Sequence, residues 1–186
     1  MRYILLDLEY SRDSQQKITE IGALKVEFND MEKRPKITGI FNKKTKSIYK
    51  ESLNSFVNWI GVKNDDYKLC CWDTEDKRIL KKEYYREKIG IGWLKTHYTD
   101  LQDKYQKLIM KRYITIGEQF KELLGNRVKL SNQIGLKNAL KAEKINFNGT
   151  PHCAFNDAYN MTKIFMRYFY EWNFVSFESK DKERKI

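Results

Sequence analysis

Cysteine, histidine and proline are all scarce in this chain of 186 residues, at three, two and two respectively. The odd cysteine count, with no metal-like spacing among Cys70, Cys71 and Cys153, argues against a disulfide framework or a zinc module. It predicts a reduced, intracellular chain. Cys70 and Cys71 read as filler at the end of a buried strand. Cys153 beside His152 does not make a thiol nucleophile, because neighbours in sequence rarely face each other in such sites. Long apolar runs are absent too: no stretch approaches the ~18 to 20 residues of a membrane span. The opening "MRYILLDLEY" has a very short apolar run that ends in acids, unlike a signal peptide. These absences point to the cytoplasm. There are no internal repeats or low-complexity segments, so one domain is expected over 1–178, followed by a basic, disordered tail at 179–186.

Positive charge is what the chain has in excess. Lys plus Arg number 36 against 25 for Asp plus Glu, a net charge of +11. Basic stretches recur at 42–50 ("NKKTKSIYK"), 76–88, 103–112 and 180–185. Such a field attracts polyanions and speeds their encounter. A solvated lysine surface would give the same composition, so charge alone does not select nucleic acid.

Apolar patterning predicts three successive strands, "RYILLDLEY" (2–10), "ITEIGALKVEF" (18–28) and "PKITGIFNKKT" (35–45), joined by the polar turns "SRDSQQK" and "NDMEKRP". Short connections make this an antiparallel meander. "SLNSFVNWIG" (52–61) reads as a helix capped by Ser52, with Leu53, Phe56, Val57 and Ile60 at helical spacing. "YKLCCW" (67–72) reads as a buried strand and "EDKRILKKEYYREK" (75–88) as a helix. Further helices are predicted over 99–111, 116–124, 135–143 and 154–172, with a short strand in "RVKLSN" (127–132). The order β-β-β-α-β-α followed by helices gives an α/β class with a mixed sheet.

Acids gather at the ends of these elements. Asp7 and Glu9 are two apart on the first strand and so share a face, where two carboxylates resist burial unless a cation joins them. Asp73, Glu75 and Asp76 follow the strand 67–72, and ligand sites in α/β sheets form beyond strand ends. Asp73 or Thr74 can instead cap the following helix, whose dipole favours acids in its first turn. Asp157 lies in the first turns of the last helix, five residues after His152. Taken together, four carboxylates and one histidine indicate hard divalent ions, Mg²⁺ or Mn²⁺. Two such ions about 3.5–4 Å apart can activate a water and stabilise the leaving oxygen of a phosphodiester. An imidazole beside that water can take its proton.

"DLE" (7–9), "ITEIGALKV" (18–26), "CCWDTEDKRIL" (70–80) and "FNGTPHCAFNDAYNMTKIF" (147–165) resemble, in order and spacing, the motifs of the DEDDh 3′-5′ exonucleases. These are DnaQ-like members of the ribonuclease H-like superfamily, and the resemblance covers about residues 2 to 170. It implies a ribonuclease H-like fold with a mixed five-stranded sheet, its first three strands antiparallel. It implies that Asp7, Glu9, Asp76 and Asp157 bind two Mg²⁺ or Mn²⁺ ions, with His152 as general base. The four-residue step from Trp72 to Asp76 resembles the RNA-trimming branch and selects Asp76 over Asp73, which replaces a usual glycine. By the same likeness Leu8, Tyr10 and Ser11 line the pocket of the 3′-terminal nucleotide. Phe56 and Trp72 are candidates for packing against its base or ribose. The segment "FNKKTKSIYKESLNSF" (41–56) departs from the family pattern in being short and rich in lysine. The implied activity is metal-dependent release of nucleoside 5′-monophosphates from the 3′ end of single-stranded RNA or DNA, with RNA favoured. A non-catalytic nucleic-acid-binding module on the same fold and a polymerase-associated proofreading exonuclease are the rival readings.

Overall fold

A sheet of five strands in the order β3-β2-β1-β4-β5 organises the chain. The structure, a computed structural model, describes residues 1–29, 31–44, 50–61, 66–90, 98–119 and 134–172. β1 (Arg2–Tyr10), β2 (Ile18–Asn29) and β3 (Arg34–Lys44) form the antiparallel meander that the alternating sequence predicts. The first turn closes on Asp13, whose Oδ1 accepts from the Ser11 hydroxyl at 2.8 Å and from the amides of Gln15 and Gln16, both at 3.0 Å. After helix α1 (Lys50–Ile60) the chain returns as β4 (Tyr67–Cys71), which pairs parallel to β1. Helix α2 (Thr74–Arg86) then leads to β5 (Tyr98–Asp100), parallel to β4. Three helices complete the described fold: α3 (Leu101–Gln119), α4 (Leu136–Ala142) and α5 (Ala154–Arg167).

Because β1 is central, both its faces are buried, and the side chains divide by parity. Ile4, Leu6 and Leu8 face α1 and α2, packing with Ile21, Phe56, Ile79 and Leu80. Tyr3 and Leu5 face the other layer, packing with Leu140, Met161, Phe165 and Phe169 from α4, α5 and the turn beyond. The same parity sends Asp7 and Glu9 to the α5 side. Among the described residues no helix is long and apolar enough to cross a membrane.

The structure corrects several boundaries. The predicted helix 99–111 begins in a strand, since Tyr98, Thr99 and Asp100 pair with Leu69, Cys70 and Cys71. Asp100 then starts α3 by accepting from the Asp103 amide at 2.9 Å. The helices predicted at 99–111 and 116–124 are one helix as far as Gln119, and residues 120–124 lie outside the described residues. So do the predicted strand 127–132 and the tail 179–186. α1 starts at Lys50, which puts Ser52 inside the helix rather than at its cap. α5 stops at Arg167 instead of continuing to 172. Beyond it the aromatic residues turn onto the core, where Phe169 packs edge-on to Tyr3 and stacks on Phe28.

Candidate active site

β1 and β4 stay paired only as far as Leu5 and Cys70. β4 ends one residue later while β1 runs on to Tyr10, so a crevice opens at the carboxyl ends of two parallel neighbours, the position where α/β sheets bind ligands. The separation leaves the Leu8 amide free of β4, and it donates to the Asp76 carboxylate.

The three acids at the head of α2 have three different surroundings. Asp73 is the N-cap, its Oδ1 accepting from the Glu75 amide at 2.8 Å. Glu75 is engaged by Arg78 and by the Tyr10 hydroxyl. Asp76 alone turns inward, 7 % exposed, towards Asp7.

From the opposite side, α5 delivers Asp157. The loop before it is tied down by Asn160, which is fully buried on the helix. Asn160 Oδ1 accepts from the Asn148 amide at 2.9 Å, and its Nδ2 donates to the Asn148 carbonyl at 2.8 Å. Sequence reasoning missed this clamp, because an asparagine bonded to a loop residue twelve positions earlier is legible only once the loop is folded back. His152 sits at φ 62°, a left-handed conformation disfavoured by side chains, and its amide donates to Asp157 Oδ2 at 2.9 Å. Glu9, His152 and Asp157 each present a possible ligand atom within 4.8 Å of the others.

These carboxylates crowd one another. Burial, then the nearby charges of Asp76, Asp157 and Glu9, hold the Asp7 carboxyl well above the usual range. Asp76 is likewise held well above it by burial and by Asp73, against the Leu8 hydrogen bond. Burial also raises Glu9 and Asp157, with His152 opposing the rise in both. Oxygen-rich donors with like charges in a desolvated crevice are what a hard divalent cation neutralises. The donor set therefore fits such an ion.

No protein-family model and no curated protein matches the sequence. Solved structures do match. The chain is similar to cell-death related nuclease 4 (CRN-4), with a TM-score of 0.64 at 15% identity, covering 91% of this chain and 64% of that one. It is similar to the nuclease domain of 3′hExo, a DEDDh family member bound to rAMP, with a TM-score of 0.63 at 14% identity, over 91% of this chain and 92% of that one. A 3′-exonuclease in 3′-end specific recognition of a histone mRNA stem-loop gives 0.59 at 13% identity, over 91% and 82%. This is the ribonuclease H-like fold of the DEDDh nucleases. The chain spans less than two thirds of the CRN-4 chain but most of the 3′hExo nuclease domain.

The five residues singled out as ligands and base all line one cleft of about 520 Å³, roomy enough for a nucleotide. Leu8, Tyr10 and Trp72 line it as well. Trp72 is held by its Nε1, which donates to the Ile134 carbonyl at 3.0 Å, and by packing on Tyr105. Two expected pocket residues are elsewhere. Phe56 is fully buried between Phe41 and Trp59 and belongs to the core on the far side of the sheet. The Ser11 hydroxyl is taken up in the turn, donating to Asp13 and accepting from the Lys17 amide at 2.9 Å. No pattern in the sequence marks Arg12 and Lys137, which also line the cleft from the first turn and from α4. Their shared location is a tertiary fact, since 124 residues of chain lie between them.

Proposed function

We propose that the protein is a metal-dependent 3′-5′ exonuclease acting on single-stranded nucleic acid, RNA in preference to DNA. The observation that carries this reading is the meeting of Asp7, Glu9, Asp76, Asp157 and His152, drawn from β1, α2, α5 and the loop before it, in one nucleotide-sized cleft. Asp7, Glu9, Asp76 and Asp157 would hold two divalent ions, Mg²⁺ or Mn²⁺. When bound, these ions supply charge for the developing oxyanion and lower the pKa of water.

His152, at the cleft's rim, accepts a proton from the attacking water through a ring nitrogen. The bond from phosphorus to the preceding O3′ breaks, and the terminal residue leaves as a nucleoside 5′-monophosphate. Trp72 offers an apolar wall for the last base, Leu8 borders the cleft while its side chain packs into the core towards α1 and α2, and the Tyr10 hydroxyl stays with Glu75. Arg12 and Lys137, both exposed, bring positive charge to an otherwise acidic cleft and suit the phosphates upstream of the scissile bond. The preference for RNA rests on the Trp72-to-Asp76 step and on the ligands of the similar structures, rAMP and a histone mRNA stem-loop. The cytoplasm is the compartment that suits three free thiols.

Product analysis tests the reading. Single-stranded RNA with a free 3′-hydroxyl should yield nucleoside 5′-monophosphates, and the same RNA with a blocked 3′ end should resist. Internal fragments from the blocked substrate would contradict an exonuclease.

A further inference from the structure

Glu20 has no part in the chemistry proposed above, yet it is a carboxylate only 3 % exposed beside the acidic cluster. It stands directly opposite Glu9 in the β1–β2 register, so the two side chains share a face. Its Oε1 accepts from the Cys153 thiol at 3.2 Å, and its Oε2 pairs with Lys44 Nζ at 3.2 Å. Cys153 directly follows His152, whose left-handed backbone needs outside support. Two residues further along β2, Gly22 lies under the start of α5. A Cβ there would sit 2.2 Å from the Ala154 carbonyl carbon and from the Phe155 nitrogen. Residues 20 and 22 of β2 thus receive residues 153 to 155, the segment that sets where His152 stands.

A buried carboxylate facing Glu9 and Asp157 is an unfavourable choice for stability alone, because it adds repulsion to both. Lys44, on the neighbouring strand, supplies the opposing charge. The geometry points to Glu20 as a positioning residue that anchors the His152 loop through the Cys153 thiol, with Lys44 as its counter-ion. This inference rests on the exonuclease reading for its consequence, but the anchoring itself can be measured without any activity.

The experiment uses the full chain and the variants Glu20→Ala, Cys153→Ala and Cys153→Ser. In metal-free protein the backbone amide resonance of His152 reports its bond to Asp157. That resonance should move towards the unfolded-chain position in Cys153→Ala and Glu20→Ala, and return in Cys153→Ser, whose hydroxyl restores the donor. Hydrolysis should follow the same order, kcat falling about 10- to 100-fold in the two alanine variants while KM stays within about twofold. An unmoved His152 amide in folded Glu20→Ala, or Cys153→Ser as impaired as Cys153→Ala, overturns the inference. If Glu20→Ala fails to fold, the two Cys153 variants decide the matter alone. A wild-type protein without hydrolysis would defeat the exonuclease reading, and the amide shifts would still decide the anchoring.

Discussion

The amide of His152 donates to the carboxylate of Asp157 at 2.9 Å, while the His152 backbone sits at φ 62°. A residue placed there for stability would be glycine, which adopts this conformation freely. His152→Gly should therefore leave the unfolding free energy within about 1 kcal/mol of the wild type, or raise it. Hydrolysis should fall about 10²- to 10⁴-fold, the usual worth of a general base. Thermal melts and single-turnover rates on the same preparation check both halves. A clear loss of stability would make His152 a structural residue.

Asp73 and Asp76 separate by role. Asp73→Asn keeps a capping oxygen and should be close to wild type in both stability and hydrolysis. Asp73→Ala should cost about 1 kcal/mol through the lost cap and still cleave. Asp76→Asn should abolish metal-dependent hydrolysis while the protein stays folded. Denaturant melts and cleavage rates for the three variants decide it, and inactive Asp73→Asn with active Asp76→Asn would reverse the assignment.

The crowding of Asp7 and Asp76 has a sign in the metal-free protein. Both are raised in the fold, chiefly by burial. Their stabilising contribution is therefore complete below the unfolded carboxyl value of about 3.9 and is lost as pH rises through the folded value. Asp7→Asn should remove part of this dependence and stabilise the metal-free protein at neutral pH by about 1 to 2 kcal/mol. Mn²⁺ should raise the wild-type Tm more at pH 8 than at pH 5, because ions and protons compete for the same oxygens. The variant should lose most of that rise. Calorimetric scans at both pH values, with and without Mn²⁺, read all of these effects.

Arg12 and Lys137 can be tested apart from chemistry by using Asp7→Asn as an inactive background. Each change to alanine should make the salt dependence of single-strand binding shallower by about 0.7 in the log–log slope, the value of one phosphate contact. Fluorescence anisotropy across a salt series measures it. Unchanged slopes would place the phosphate track elsewhere. Phe56→Leu supplies the contrast, since a core residue should lower the Tm and leave KM unchanged.

Much of the fold was legible because its signals were local. The alternation in 2–10 and 18–28 fixes two strands whose faces are set by parity, and that parity alone puts Asp7 and Glu9 together. The preference for Asp76 over Asp73 comes from the family likeness in the step after Trp72, and the structure gives the two distinct environments, Asp73 at the N-cap and Asp76 buried. What escaped was tertiary. Tyr98–Asp100 is too short to show a period and becomes a strand only because β4 offers a free edge. Phe56 has the composition of a stacking residue and the location of a core one. Glu20 carries no local signal within the strand 18–28, and its bond to Cys153 spans 133 residues.

The most direct test is cleavage of 5′-labelled single-stranded RNA and DNA in Mn²⁺, beside EDTA and beside Asp7→Asn. The account predicts a ladder that shortens one nucleotide at a time from the 3′ end, faster on RNA, and absent with EDTA and in the variant. Oligonucleotides left intact by the wild-type protein, though still bound, would contradict it and make the cleft a binding site without chemistry.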